Sequence, residues 1–123
     1  MDSTGLINVE LRDDERQLLR AALLEWIGPA RPTEPLVIAM GFTGLDSFSG
    51  DVMRLRSALK RHDALSDRDW RRVLIAAEIG FASDVMGSGL DWPTATGFSD
   101  TETIALLRAV QRKMPRCRAS FQR

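Results

Sequence analysis

The stretch Ser66-Asp67-Arg68-Asp69-Trp70-Arg71-Arg72-Val73-Leu74-Ile75-Ala76-Ala77-Glu78-Ile79-Gly80-Phe81-Ala82-Ser83-Asp84-Val85 decides the fold. Ser66 stands just ahead of Asp67, Arg68 and Asp69, where its hydroxyl can accept a free amide of a first helical turn and the acids meet the positive end of the helix dipole. Trp70, Leu74, Ala77, Phe81 and Val85 fall on one helical stripe, and Ile75, Ile79, Ala82 and Met86 on another. Two apolar faces imply packing on two sides, so this segment predicts a central helix reaching about Val85. Glu78 projects between the stripes. A carboxylate there needs an arginine such as Arg71 or Arg108, or backbone amides. A structural ion pair is the favoured expectation, and a general base with a raised pKa, which would make the chain a small helical enzyme, is an alternative.

Helical signals flank this segment on both sides. Asp13, Asp14 and Glu15 make an acidic first turn ahead of Leu18, Leu19, Ala22, Leu23, Trp26 and Ile27, whose three- and four-residue spacing builds one apolar face before Gly28-Pro29 ends it. Residues Leu6 to Leu11 alternate too weakly for a strand and read as irregular. Thr33 caps a short second helix through Leu36, Val37, Ile38 and Met40, apolar nearly all round and therefore expected to be buried. A third helix is predicted from about Ser49 to Arg61 on the stripe of Phe48, Val52, Leu55 and Leu59. Ser99-Asp100-Thr101-Glu102 is a full capping box opening a last helix, which carries Leu106, Leu107, Val110 and Met114 inward and stops at Pro115.

Together these predict an all-α fold, one compact bundle of about five helices spanning the 123 residues, with residues 1–8 and 116–123 loose. The longest apolar runs, Leu36 to Met40 and Val73 to Ala77, fall far short of the ~20 residues of a membrane span. Met1 to Gly5 shows no basic region followed by an apolar stretch, so a cytoplasmic protein is expected. Cys117 is the single cysteine and His62 the single histidine, which excludes an internal disulfide and a cysteine metal cluster and leaves no context for a Cys/His catalytic pair.

Between the two strongest helix signals lies Gly87-Ser88-Gly89-Leu90-Asp91-Trp92-Pro93-Thr94-Ala95-Thr96-Gly97-Phe98. Trp92 occupies the position of the third glycine of a dinucleotide fingerprint, and Ser88 lacks the flanking pattern of a nucleophile elbow. A loop with two large aromatics either closes over the core or presents a contact surface. Asp84, Asp91 and Asp100 match no calcium loop, and no metal or cofactor is expected.

Net charge is zero but unevenly spread: residues 73–102 hold Glu78, Asp84, Asp91, Asp100 and Glu102 with no Lys or Arg, and residues 103–123 hold bases with no acid. With catalytic motifs eliminated, the expected function is stoichiometric protein binding, of the inhibitor or immunity type, by a monomer or weak dimer that blocks a basic partner. Asp84, Asp91, Trp92, Phe98 and Asp100 are the candidate contacts. The alternative is a helix-turn-helix-like nucleic-acid-binding regulator using Arg108, Arg112 and Lys113 of the basic last helix. Zero net charge and the dozen-residue connection before that helix weigh against it.

Overall fold

The computed structural model describes residues 5–28 and 30–115; the expectations for residues 1–4, Cys117 and the 116–123 tail lie outside them. The fold is all-α, with six helices and one two-stranded pairing among the described residues. In chain order they are β1 (Leu6–Ile7), α1 (Asp13–Glu25), α2 (Glu34–Ala39), α3 (Leu45–Arg61), β2 (Leu65–Ser66), α4 (Asp67–Ala82), α5 (Trp92–Thr96) and α6 (Asp100–Lys113). No helix among the described residues is long and apolar enough to cross a membrane.

The caps legible in the sequence are where they should be. Thr33 Oγ1 accepts the Leu36 amide, Ser66 Oγ the Asp69 amide, and Ser99 with Glu102 completes the capping box, each side chain accepting the other residue's amide at 3.0 Å. Helix α3 departs from expectation by starting at Leu45. Its N-cap Gly44 has no side chain to offer, and the Glu34 carboxylate of α2 instead accepts the Leu45 amide at 2.7 Å. A free amide of one helix is thus satisfied by another helix, which no local pattern announces. The same helix ends on His62 in the left-handed conformation, φ 62°, with its side chain exposed.

Helix α1 is the hub, in place of α4. It packs against α3, α4, α5 and α6, with Leu18, Leu19, Ala22, Leu23 and Trp26 sealed from solvent. Helix α4 meets it through the small face of Val73, Ala76, Ala77 and Gly80, which runs between the larger apolar stripes; Ile75 and Ile79 are only half-buried and Ala82 is exposed. Small residues let the two backbones approach closely enough for the Trp26 indole N–H to reach the Ala76 carbonyl at 2.9 Å. Helix α2 buries Val37 and Met40 but leaves Ile38 exposed, because it packs on one side only.

Leu6 and Ile7, read from sequence as irregular, pair antiparallel with Ser66 and Leu65. The Trp70 indole N–H donates to the Ile7 carbonyl at 2.9 Å and pins this segment beside the start of α4. Helix α1 ends at Glu25, and Gly28 lies outside the left-handed region, so the cap expected of it is replaced by a chain of turn bonds through Trp26, Ile27 and Gly28.

Candidate functional site

Helix α4 stops at Ala82, three residues earlier than its periodicity predicts. Ser83 turns extended, its hydroxyl accepts the Met86 amide at 3.0 Å, and its carbonyl accepts the Gly87 amide at 3.0 Å. The chain doubles back onto the helix it has just left, and the Ser88 amide donates to the Gly80 carbonyl at 2.8 Å. A Cβ on Gly87 would lie 2.6 Å from the carbonyl oxygens of both Ile79 and Gly80, so only glycine fits there. Val85, assigned by spacing to an apolar stripe, is consequently 77% exposed. Ser88 then donates its hydroxyl to the buried Glu25 carboxylate at 2.6 Å, closing the turn onto α1.

The rest of the aromatic segment folds into a single 3-10 turn, Gly89–Asp91, and the short helix α5. Trp92 faces inward with 0% exposure. Its indole N–H donates to Thr103 Oγ1 at 2.8 Å, and Phe81 packs edge-on against its ring, centroids 5.5 Å apart. Of the two readings open to the segment, closure over the core is the one realised at Trp92. The assignment of this residue as a contact anchor is therefore corrected: a ring sealed beneath α4 and α6 offers no surface to a partner. Phe98 is half-buried on another side, near Ala95 and Thr96 and beside Asp14 and Glu102, and does not line the hollow of Asp84 and Asp100. Asp91 is exposed.

Asp84 and Asp100 do come together. They border a hollow of about 230 Å³ floored by Phe81 and Ala82 and flanked by Leu90. A second hollow, about 260 Å³, shares Phe81 and Ala82 and continues between α4 and α6 past Ile104 and Leu107 to Glu78, Gln111 and Arg108. The two make one groove with an apolar floor and an acidic rim. Leu90 and Ile104 stand at its edges 85% and 53% exposed, large apolar side chains that folding has left in water. Asp84 also accepts the Leu90 amide at 2.9 Å and so anchors the backbone that carries that side chain. Glu78 is half-buried; Gln111 donates its amide to it at 2.6 Å and accepts Arg108 at 2.8 Å, so the Arg108 cation reaches the carboxylate through one intervening side chain.

One member of the basic ridge of α6, Lys113, is engaged by the fold, while Arg108, Arg112 and Lys113 all remain exposed. Lys113 reaches across to Glu15 of α1 at 2.7 Å, and that carboxylate is fully buried. Burial opposes the charged form of Glu15, but the Lys113 ammonium and the Arg12 amide outweigh it and hold the carboxyl below its ordinary range. Arg108 is engaged by Gln111, and Arg112 is exposed. By sequence Glu15 belongs to the acidic first turn of α1. Its partner lies 98 residues away, so no local signal marks it.

Asp69, one of the acids of the first turn of α4, has a partner on its own helix and another on α3. It takes Arg54 at 2.9 and 3.1 Å and Arg72 at 3.0 Å, and these guanidiniums hold its carboxyl low against the cost of its own burial. This cluster ties α3 to α4 and is structural, with Arg72 also donating to the Gly41 carbonyl at 2.7 Å and lying over the Phe42 ring. Among the described residues no group of three or more His, Cys, Asp or Glu side chains converges as a metal site would. The chain matches no protein-family model, and no curated protein or solved structure resembles it significantly.

Proposed function

We propose that this chain is a stoichiometric protein-binding module whose α4–α6 groove seats a basic amphipathic helix of its partner, as an inhibitor or immunity-type protein would to block a basic target. The observation that carries this reading is the combination at one groove of exposed Leu90 and Ile104, an apolar floor of Phe81, Ala82 and Leu107, and a rim of Glu78, Asp84 and Asp100. An amphipathic helix laid in a groove buries its apolar face and leaves its flanking charges at the rim, where their sign governs steering and register. Residues 73–102 contain no Lys or Arg, and the cation that lines the groove, Arg108, stands at the Glu78 end, away from Asp84 and Asp100. Arg108 closes one end of the groove and sets the direction in which a basic segment can enter.

The test uses two designed amphipathic peptides of one apolar pattern, one with lysines and one with glutamates on the polar face, titrated into the labelled chain and followed by backbone amide NMR. The lysine peptide is expected to shift resonances of Ala82, Leu90, Ile104 and Arg108, and the glutamate peptide to leave them in place. Leu90→Ala and Ile104→Ala change exposed residues without altering the charge of the rim, so they retain the fold and together weaken the lysine peptide about tenfold or more. Equal response to both peptides, or shifts confined to another face, would overturn the proposal.

A further inference from the structure

A second concavity has a different chemistry. Where α1, α3 and α5 meet, a hollow of about 330 Å³ is lined by Arg20, Leu24, Glu25, Arg56, Thr96 and Phe98. Its two arginines are locked by exchange: Arg20 Nε–H donates to the Arg56 carbonyl at 3.2 Å, and Arg56 Nε–H donates to the Arg20 carbonyl at 3.0 Å. Each guanidinium is thereby laid across the backbone of the opposite helix, half-buried, with its Nε donor already used. The ion pairs among the described residues engage Arg12, Arg54, Arg61, Arg71, Arg72 and Lys113, and neither Arg20 nor Arg56 has a carboxylate within ion-pair distance.

Two neighbouring cations are costly, and the cost registers at Arg56, whose pKa is depressed first by burial and then by the charge of Arg20. Their terminal amino groups remain as donors in a rigid planar fork, the geometry that matches a carboxylate or phosphate bidentately. The other walls decide what else the ligand carries. Leu24 and Phe98 are apolar, and Thr96 is occupied, donating to the Trp92 carbonyl at 2.7 Å and accepting the Phe98 amide at 3.2 Å. Glu25 is buried and already accepts the Ser88 hydroxyl, so it offers the hollow no donor and leaves that part to the arginines.

We infer that this hollow binds a small organic anion, its carboxylate or phosphate head bridging the terminal amino groups of Arg20 and Arg56 and its apolar body lying along Leu24 and Phe98. An anion there relieves the repulsion between the guanidiniums and fills their open donor positions, while the apolar body favours it over a bare inorganic ion.

The full chain is titrated at low salt with phenyl phosphate, benzoate and inorganic phosphate, reading the arginine Nε–Hε NMR signals and the melting temperature. The Arg20 and Arg56 signals are expected to move with at least one aromatic anion, which binds about tenfold more tightly than inorganic phosphate. The stronger of the two aromatic ligands identifies the head group. Arg56→Gln should reduce that affinity about tenfold, and Phe98→Ala, which leaves both arginines in place, should abolish the advantage over inorganic phosphate. Motionless arginine signals with all three probes would overturn the inference. So would equal affinity for inorganic and aromatic anions, or undiminished binding by a folded Arg56→Gln. If Arg56→Gln fails to fold, Phe98→Ala decides alone: an undiminished preference for the aromatic anion overturns the inference.

Discussion

Replacing Trp92 by alanine should damage the fold itself. The ring is sealed from solvent, packs edge-on with Phe81 and lies 3.6 Å from where a Cβ on Gly80 would stand, so truncation opens a void between α4 and α6 that no neighbour is positioned to refill. A buried Trp→Ala change costs about 3–5 kcal/mol. Loss of the indole donor removes the bond accepted by Thr103 Oγ1, which keeps only its own donation to the Ser99 carbonyl, adding about 1 kcal/mol. The sum, about 4–6 kcal/mol, is a large part of the about 5–15 kcal/mol available to a domain of this kind. Urea unfolding followed by far-UV circular dichroism should therefore show a midpoint much reduced, or a chain already partly unfolded in buffer. Trp92→Phe, which keeps most of the ring and drops the N–H, should lose only about 1–2 kcal/mol. A Trp92→Ala protein destabilised by less than about 2 kcal/mol would refute the reasoning, since a plug of this size cannot be removed so cheaply.

Lys113→Met should cost about 1–3 kcal/mol at neutral pH, below the value for a wholly buried pair because the lysine side chain is 34% exposed. In the wild type the Glu15 pKa is depressed below its ordinary 4.5, so the contribution of the pair is present above that value and is lost as pH falls through the lower folded value. Without Lys113 burial is far less opposed and the Glu15 pKa rises, so the gap between variant and wild type should narrow as pH falls toward 4.5; denaturation midpoints across that range test it, and a constant gap would contradict the pairing. Two glycines should respond with opposite signs in the same assay. Gly87→Ala forces a Cβ against two backbone carbonyls and destabilises strongly, whereas Gly50→Ala, on the exposed side of α3 with nothing within 4 Å, should stabilise by about 0.5–1 kcal/mol.

The elements readable from the chain are those whose causes lie within a few residues of one another. Thr33, Ser66 and Ser99 cap the helices they precede, because a side-chain oxygen at that position meets an amide two or three residues on. The apolar faces of α1, α3 and α6 follow from three- and four-residue spacing, as does the burial of Trp26 and Trp70.

The candidate site was legible only in part. The acidity of the 73–102 region is written in the sequence, but that Asp84 and Asp100 share a groove with Leu90 and Ile104, while Trp92 is drawn beneath it, depends on the Ser88 amide folding back to the Gly80 carbonyl. The early start of α3, the Glu15–Lys113 pair and the exchange between Arg20 and Arg56 likewise join partners on different elements. Periodicity reports which side of a helix is apolar; it carries no information about which distant atom will meet a given side chain, and buried carboxylates, caps borrowed from a neighbouring helix and facing guanidiniums exist only once the packed elements bring those atoms within hydrogen-bonding reach.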